Sequence, residues 1–276
     1  MTASARATEG ERVSSVEGKR VLITGGSSGI GAAIARDLAG AGAVVGICAR
    51  RTALLDAVLE ECRAWSPDSR AWTVDLDDLD GIESFARTVE ADFGLPDVLV
   101  NNAGVATSVP LPRITFDEVE SLMRLNYLSP VRLSLAFIPA MVARGSGQIL
   151  NVSSVAARVS PPTQGTYGAT KAALTAFFES AAADLWGTGV TVHNVYPGLI
   201  TVNDVEPDAL HEGMTGLPAS DVAEAVRHQL EAGTFEIYVP EEFKVTYARR
   251  AKDVGAFVEA SGAYASRQLG DDLRAT

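Results

Sequence analysis

"RVLITGGSSGIG", residues Arg20 to Gly31, joins a short β-branched run to a glycine-rich turn and then to an alanine-rich amphipathic stretch. A strand, a tight turn and a helix in that order predict the opening of a βαβ unit. Gly25, Gly29 and Gly31 then fall where the backbone can approach a pyrophosphate, and the helix start, with Ser28 and Ile30, supplies N–H groups and a favourable field. The spacing departs from the standard dinucleotide fingerprint, with three residues between Gly25 and Gly29 and one between Gly29 and Gly31. A glycine-rich turn without a ligand has the same composition, so the position between strand and helix gives the motif its weight.

Beyond this unit, "AVVGICA", "RAWTVDL", "DVLVN", "GQILNVS", "VTVHNVYP" and "FEIYVP" are further strand runs. Helical stretches separate them, through Leu54 and Leu59, Phe85 and Val89, Phe116 to Ala143, Tyr167, and Ser220 to Glu231. The alternation predicts an α/β fold, a doubly wound seven-stranded parallel sheet with helices on both faces in a single domain over residues 19–240. Gly145 and Gly147, Gly187 and Gly189, and Gly233 are expected where helices stop. Residues 1–18 are small, polar and aperiodic and are expected to form a mobile tail. Residues 241–276 are expected to form a charged helical extension.

Composition excludes several functions. The 276 residues carry a formal net charge of -12 and no Lys/Arg cluster that could replace counterions along a nucleic acid. The first twenty residues hold no apolar stretch of signal-peptide length and no later window approaches a charge-free membrane span, so a cytoplasmic protein is expected. Cys48 and Cys62 are too few and too scattered for a disulfide framework or zinc site and read as small buried hydrophobes. His193 in mid-strand and His211 in a loop lack a second ligand at metal-binding spacing, so no metal is expected. Ser27 and Ser28 lack the G-x-S-x-G frame of a hydrolase nucleophile.

After the second strand the chain reads "CARR", Cys48 to Arg51, with no carboxylate to repel a ribose 2′-phosphate. Arg50 and Arg51 are placed to pair with such a phosphate, with Ser27 as a third donor, which favours NADP over NAD. Of the two, Arg51 also reads as a solvated helix-start residue. Asp75, after the third strand beside Leu76, either accepts from an adenine amino group or closes a turn. Farther on, "YGATK" puts Tyr167 four residues before Lys171, on one helical face. The pair alone is equally a tyrosine packing on a lysine stem.

"TGGSSGIG", "NNAG" at Asn101 to Gly104, Asn126 in "LNY", "NVSS" ending at Ser154, "YGATK" and "YPG" at Tyr196 to Gly198 together resemble the short-chain dehydrogenase/reductases, in family order over residues 19 to 240. The resemblance implies a Rossmann-type domain that uses a nicotinamide cofactor for hydride transfer between carbonyl and alcohol. It assigns Tyr167 as general acid/base, Lys171 as its partner, Ser154 rather than Ser153 as the carbonyl-orienting hydroxyl, and Asn126 as the holder of a proton-relay water. It also extends the cofactor wall to Asn102, Ala103, Gly104, Pro197, Gly198, Ile200 and Thr201, with Thr201 meeting the carboxamide. An ammonium near the phenol, and an oxidised nicotinamide, are expected to lower the tyrosine's pKa from about 10 toward working pH.

Two regions depart from the family pattern. The segment Leu199 to Pro218 carries Asp204, Glu206, Asp208 and Glu212 and reads as a solvated lid face. The ending lacks the glycine-rich finish common among the family's tetramers; Val245, Ala248, Val254, Phe257 and Val258 are expected to form an apolar stripe covering the fold or a neighbouring subunit. The resemblance implies a homodimer or homotetramer through the helices carrying Asn126 and Tyr167. The apolar and small residues of "VATSVPLP" and "VAARVSPPTQGT" suit a small to medium hydrophobic ketone or aldehyde. The expected activity is therefore NADPH-dependent carbonyl reduction. The alternatives are an NADP-linked alcohol dehydrogenase running oxidatively and a cofactor-sensing binding protein without turnover.

Overall fold

The computed structural model describes residues 15–201 and 216–269. Its strands are β1 (Arg20–Thr24), β2 (Val44–Ala49), β3 (Arg70–Thr73), β4 (Val98–Asn101), β5 (Gly147–Val152), β6 (Val190–Pro197), the two-residue pair β7 (Ile200–Thr201) and β8 (Leu217–Pro218), and β9 (Glu236–Val239). The helices are α1 (Gly29–Gly40), α2 (Thr52–Arg63), α3 (Ile82–Phe93), α4 (Phe116–Met123), α5 (Ser129–Arg144), α6 (Ala156–Val159), α7 (Gly165–Asp184), α8 (Ala219–Ala232), α9 (Glu242–Lys252) and α10 (Val254–Leu269). Seven strands form one parallel sheet in the order β3-β2-β1-β4-β5-β6-β9, the expected Rossmann-type arrangement. The order reverses between β1 and β4, and a crevice opens at the carboxyl ends of strands at such a switch point.

Strand residues alternate between two apolar layers. Val21, Ile23, Val45, Ile47, Val98 and Val100 pack with Ile34 and Leu38 of α1, Leu55 of α2 and Val226 of α8. Their neighbours Leu22, Cys48, Leu99 and Ile149 pack with Val89 of α3, Phe137 of α5 and Phe178 of α7. Burial on both faces is why these strands are near-continuous apolar runs instead of half-polar ones. One polar row crosses the second layer. Asn101, Asn151 and Asn194 stand in register on β4, β5 and β6. Asn101 Nδ2 donates to Asn151 Oδ1 at 3.0 Å and to Ser134 Oγ at 2.9 Å, and Asn151 Nδ2 donates to Asn194 Oδ1 at 3.1 Å.

Several details differ from expectation. The tail expected through Gly18 is already packed at Val16, which is fully buried, and the Gly18 N–H bonds the Gly42 carbonyl at 2.9 Å. An apolar side chain beside the α1–β2 turn has a core to enter. The long helix from Phe116 is broken in style by a π turn, Arg124–Leu128, between α4 and α5. Gly145 and Gly233 end α5 and α8 in left-handed conformation, whereas Gly147 opens β5, where a Cβ would lie 2.8 Å from Met141 Sδ. By length and composition the run Phe116–Arg144 is apolar enough to cross a membrane, an exception to the sequence expectation, but Leu133, Phe137 and Met141 within it are core residues.

The apolar stripe expected on the terminal helices divides. Phe243, Tyr247 and Phe257 pack on Val155, Val159, Tyr196 and Tyr238, while Val245, Val254 and Val258 face solvent at 54%, 46% and 61% exposure. Residues four apart share a helical face, so with Phe243 and Tyr247 turned inward Val245 lies on the opposite side. Residues 1–14 of the tail, the acidic residues Asp204, Glu206, Asp208 and Glu212, His211, and residues 270–276 lie outside the described residues.

Candidate active site

Helix α7 carries Tyr167 and Lys171 one turn apart, and both line a cavity of about 1030 Å³ at the carboxyl end of the sheet. The Lys171 ammonium is buried, 6.0 Å from the centre of the Tyr167 ring, and donates to the Val152 carbonyl at 2.8 Å. Ser154, just past β5, shares a hydrogen bond with the Tyr167 phenol, and its oxygen also accepts from the Ala156 N–H at 3.1 Å. Ser153 turns the other way, toward Thr175 Oγ1 at 2.9 Å and the Lys171 carbonyl, and ties the strand end to α7. The electrostatics differ from expectation. Burial raises the Tyr167 pKa above its ordinary value, with the Ser154 bond opposing, and Lys171 supplies no resolved lowering. Burial pushes the Lys171 ammonium down to about 8. With no carboxylate among the described residues shifting either group, desolvation governs both.

Asn126 occupies the π turn and is fully buried, behind the cavity wall. Its Oδ1 accepts from the Val105 N–H at 2.9 Å, and its Nδ2 donates to the Val105 carbonyl at 2.9 Å and to Thr170 Oγ1 at 3.1 Å. Thr170 in turn donates to the Tyr167 carbonyl at 2.8 Å. The amide thereby joins the loop after β4 to the helix of the Tyr/Lys pair, and no side-chain atom of it reaches the cavity surface. A Cβ on Gly104 would come within 2.9 Å of Asn126 Oδ1 and 3.4 Å of Lys171 Nζ, so only glycine leaves both in place.

The glycine turn contributes Gly25, Ser27, Ser28, Gly29 and Ile30 to the same cavity. Gly31 is absent from its surface. A Cβ there would stand 2.4 Å from both Asn102 Nδ2 and the Gly25 carbonyl, so Gly31 serves close packing behind the turn. Asn102 is held by Nδ2 to the Thr24 carbonyl at 2.8 Å, while Thr24 Oγ1 accepts from the Asn102 and Ala103 N–H groups, each at 2.9 Å. This latch closes the switch point between β1 and β4. No side chain caps α1 at Ser28, which leaves its first N–H groups turned to the cavity.

Arg50 and Arg51 lie at the far end, both exposed. Arg51, expected to be the idler of the pair, reaches across the turn and donates to Ser28 Oγ at 2.5 Å. Asp75 lines the cavity beside buried Leu76, and its Oδ1 accepts from the Asp77 N–H at 3.0 Å, so the turn-closing role is present. Ala103, Pro197, Gly198, Ile200 and Thr201 complete the wall. The geometry is one long cleft, with two guanidinium groups and a glycine turn at one end and a Ser/Tyr/Lys cluster at the other.

A sequence profile described as short chain dehydrogenase matches residues 19–211. The chain belongs to the short chain dehydrogenase family. A short chain dehydrogenase of Pseudocercospora fijiensis is 38% identical over 199 residues, 70% of this chain and 63% of that protein. The chain thus spans less than two thirds of the length of the first curated relatives it matches. A metagenomic short-chain oxidoreductase solved in complex with NADP has 35% identity and a TM-score of 0.70 over 82% of this chain and 97% of its own. A Burkholderia phymatum member solved with NAD shares the fold at a TM-score of 0.80, 23% identity, 87% of this chain and 95% of its own.

The residues of this short chain dehydrogenase fit a nicotinamide dinucleotide. The uncapped α1 start and the glycine turn suit a pyrophosphate, and the cleft is long enough to run from the arginines to Tyr167. Among the described residues no group of three His, Cys, Asp or Glu side chains could hold a metal. His193 is engaged through Nδ1 with the Thr234 carbonyl at 2.9 Å and through Nε2 with Thr191 Oγ1 at 3.0 Å. Sequence reading missed Phe243 and Tyr264 of the terminal helices, which reach the cavity wall. It also missed Arg158, whose Nη2 donates to Glu179, to Tyr196 Oη at 2.8 Å and to Glu236 at 3.4 Å. An arginine four residues beyond Ser154 within an apolar run is the signal that could have found it.

Proposed function

We propose that this oxidoreductase is an NADPH-dependent reductase acting on the carbonyl of a small to medium, fairly hydrophobic ketone or aldehyde, with Tyr167, Ser154 and Lys171 as catalytic residues. The observation that carries this reading is the convergence of the three at one end of the cleft, opposite Arg50 and Arg51. When bound, a reduced nicotinamide supplies hydride to the carbonyl carbon. Ser154 donates to the carbonyl oxygen and sets its angle. Tyr167 gives its proton as charge develops on that oxygen. Lys171 holds the ribose hydroxyls, and Asn126, through Val105 and Thr170, keeps loop and helix in register.

Burial keeps the Tyr167 phenol protonated, the form that gives its proton in the reductive direction. The same residues serve the oxidative alternative, and the ratio of reduced to oxidised cofactor decides between them. A binding protein without turnover would tolerate loss of these groups, yet the chain keeps Ser154, Tyr167, Lys171 and Asn126. Two exposed guanidiniums with no carboxylate at the end of β2 support NADP over NAD.

The catalytic unit in this reading is residues 19–240, with 241–276 as a helical extension, in a cytoplasmic homodimer or homotetramer. Support for self-association comes from exposed Leu128 at the end of the π turn and Leu135 and Val142 on α5, one heptad apart, and from exposed Ala169, Ala172 and Ala176 along α7. Sedimentation as a monomer at micromolar concentration would contradict it. The decisive experiment follows reduced-nicotinamide absorbance with a panel of ketones and aldehydes in the native protein and Tyr167→Phe. Turnover in the native protein, reduced about 10²-fold or more in the variant, is expected. Equal turnover in both rejects the assignment.

A further inference from the structure

We infer that a second cavity beside the catalytic cleft is the seat of an uncharged, unbranched aliphatic tail on the substrate, whose carbonyl lies at Tyr167. The inference rests on the reductive reading of Tyr167 and extends it to the class of substrate. The cavity has a volume of about 360 Å³, and Val105, Thr107 and Leu125 line both it and the cleft, so the two are neighbours across these side chains.

Its far walls are Val109, Ile114 and Leu122, in the loop after β4 and on α4. The partition from the cleft is a strap between two loops, in which the Val109 N–H donates to the Thr163 carbonyl at 2.8 Å and Ser108 Oγ meets Thr163 Oγ1 at 2.5 Å. Ser108 faces the cleft and Thr163 the second cavity. A chain leaving the carbonyl therefore passes along Leu125 and Thr107. Aliphatic walls reward each buried methylene. The rim carries Asp117 and Glu118, both exposed, and Glu118 is held as carboxylate by the Thr115 N–H at 2.7 Å. Two carboxylates there oppose an anionic tail end and admit a methyl end.

The test measures kcat/KM for straight-chain methyl ketones of increasing length with NADPH. The expected result is a gain of about fourfold per added methylene, the factor that burying one methylene supplies, levelling when the cavity is full. Ser121→Trp, on the exposed side of α4 and at the cavity, and separately Ile114→Phe, bring the levelling to shorter chains; Ile114→Ala moves it to longer ones. Keto acids with a terminal carboxylate lose the gain. Calorimetric titration of the corresponding secondary alcohols into the NADP-loaded protein repeats the series without turnover. Affinity that climbs with length while no ketone is reduced would sink the reductase reading and leave the tail site standing. Length-independent or absent binding, a slope that survives both bulky substitutions, or an equal gain for carboxylate-ended chains would overturn the tail site.

Discussion

Lys171 Nζ stands 6.0 Å from the centre of the Tyr167 ring and gives a hydrogen bond to the Val152 carbonyl at 2.8 Å. The two groups share a helical face and open on one cleft, and the ammonium is tied to the strand end. Its charge is held in a buried place, and among the described residues no carboxylate offsets the cost of that burial.

That isolation sets a pH dependence. The ordinary lysine value of 10.5 falls to about 8 in the folded protein, so the ammonium is present below about pH 8 and lost above it. NADPH affinity, read by cofactor fluorescence, should weaken as pH rises through about 8. In Lys171→Met affinity should be lower and flat across that range. The lysine's own contribution to stability has the opposite sense, since the unfolded chain keeps its proton between about 8 and 10.5 and stability rises with pH there. Urea unfolding compared between native protein and Lys171→Met isolates this part.

Arg51 meets Ser28 across the glycine turn and Arg50 is exposed beside it. Replacing either by alanine should weaken NADPH about tenfold or more, the loss of a charge-assisted hydrogen bond, and change NADH affinity little. Equal weakening of both cofactors would make the arginines structural.

Gly31→Ala should destabilise the fold by about 1–3 kcal/mol, because its Cβ would meet the Gly25 carbonyl and the Asn102 amide at 2.4 Å. Cofactor affinity should fall with it, since Asn102 holds Thr24 at the base of the turn. Thermal unfolding and cofactor titration of the same sample read the two effects together.

Arg158 packs its guanidinium 4.9 Å from the Tyr196 ring centre and 5.2 Å from that of Tyr247, and is paired with Glu179. Arg158→Met should cost about 2 kcal/mol in urea unfolding, because partly buried acidic and phenolic partners lose their donor. Arg158→Lys should recover part of the loss, keeping the charge but not the planar fork.

The parts of this protein legible from sequence are those whose meaning is local. The glycine turn sits between a strand and a helix, and Tyr167 and Lys171 sit one turn apart, so chain neighbours announce them. Parts assembled by tertiary contact were hidden. The Arg51–Ser28 bridge joins two different βα turns, and nothing in "CARR" says which guanidinium turns inward. Phe243 and Tyr264 enter the wall only because α9 and α10 fold back over Tyr196 and Tyr238. Gly31 read as a ligand contact because spacing does not distinguish a glycine that faces a phosphate from one that faces a neighbouring amide. The raised Tyr167 pKa was hidden too, since an i+4 spacing fixes direction and leaves burial and competing carbonyl partners unspecified.

The asparagine row across β4, β5 and β6 has a consequence for assembly of the sheet. A strand that slips by one residue would turn its amide to the opposite layer and strand its neighbours' polar atoms among aliphatic side chains. Val, Ile and Leu runs tolerate many alignments almost equally, whereas three amides in line accept one. The row acts as a proofreader of strand pairing, and mispaired collapsed states of this chain are discriminated against at the centre of the sheet, where errors would otherwise be hardest to undo.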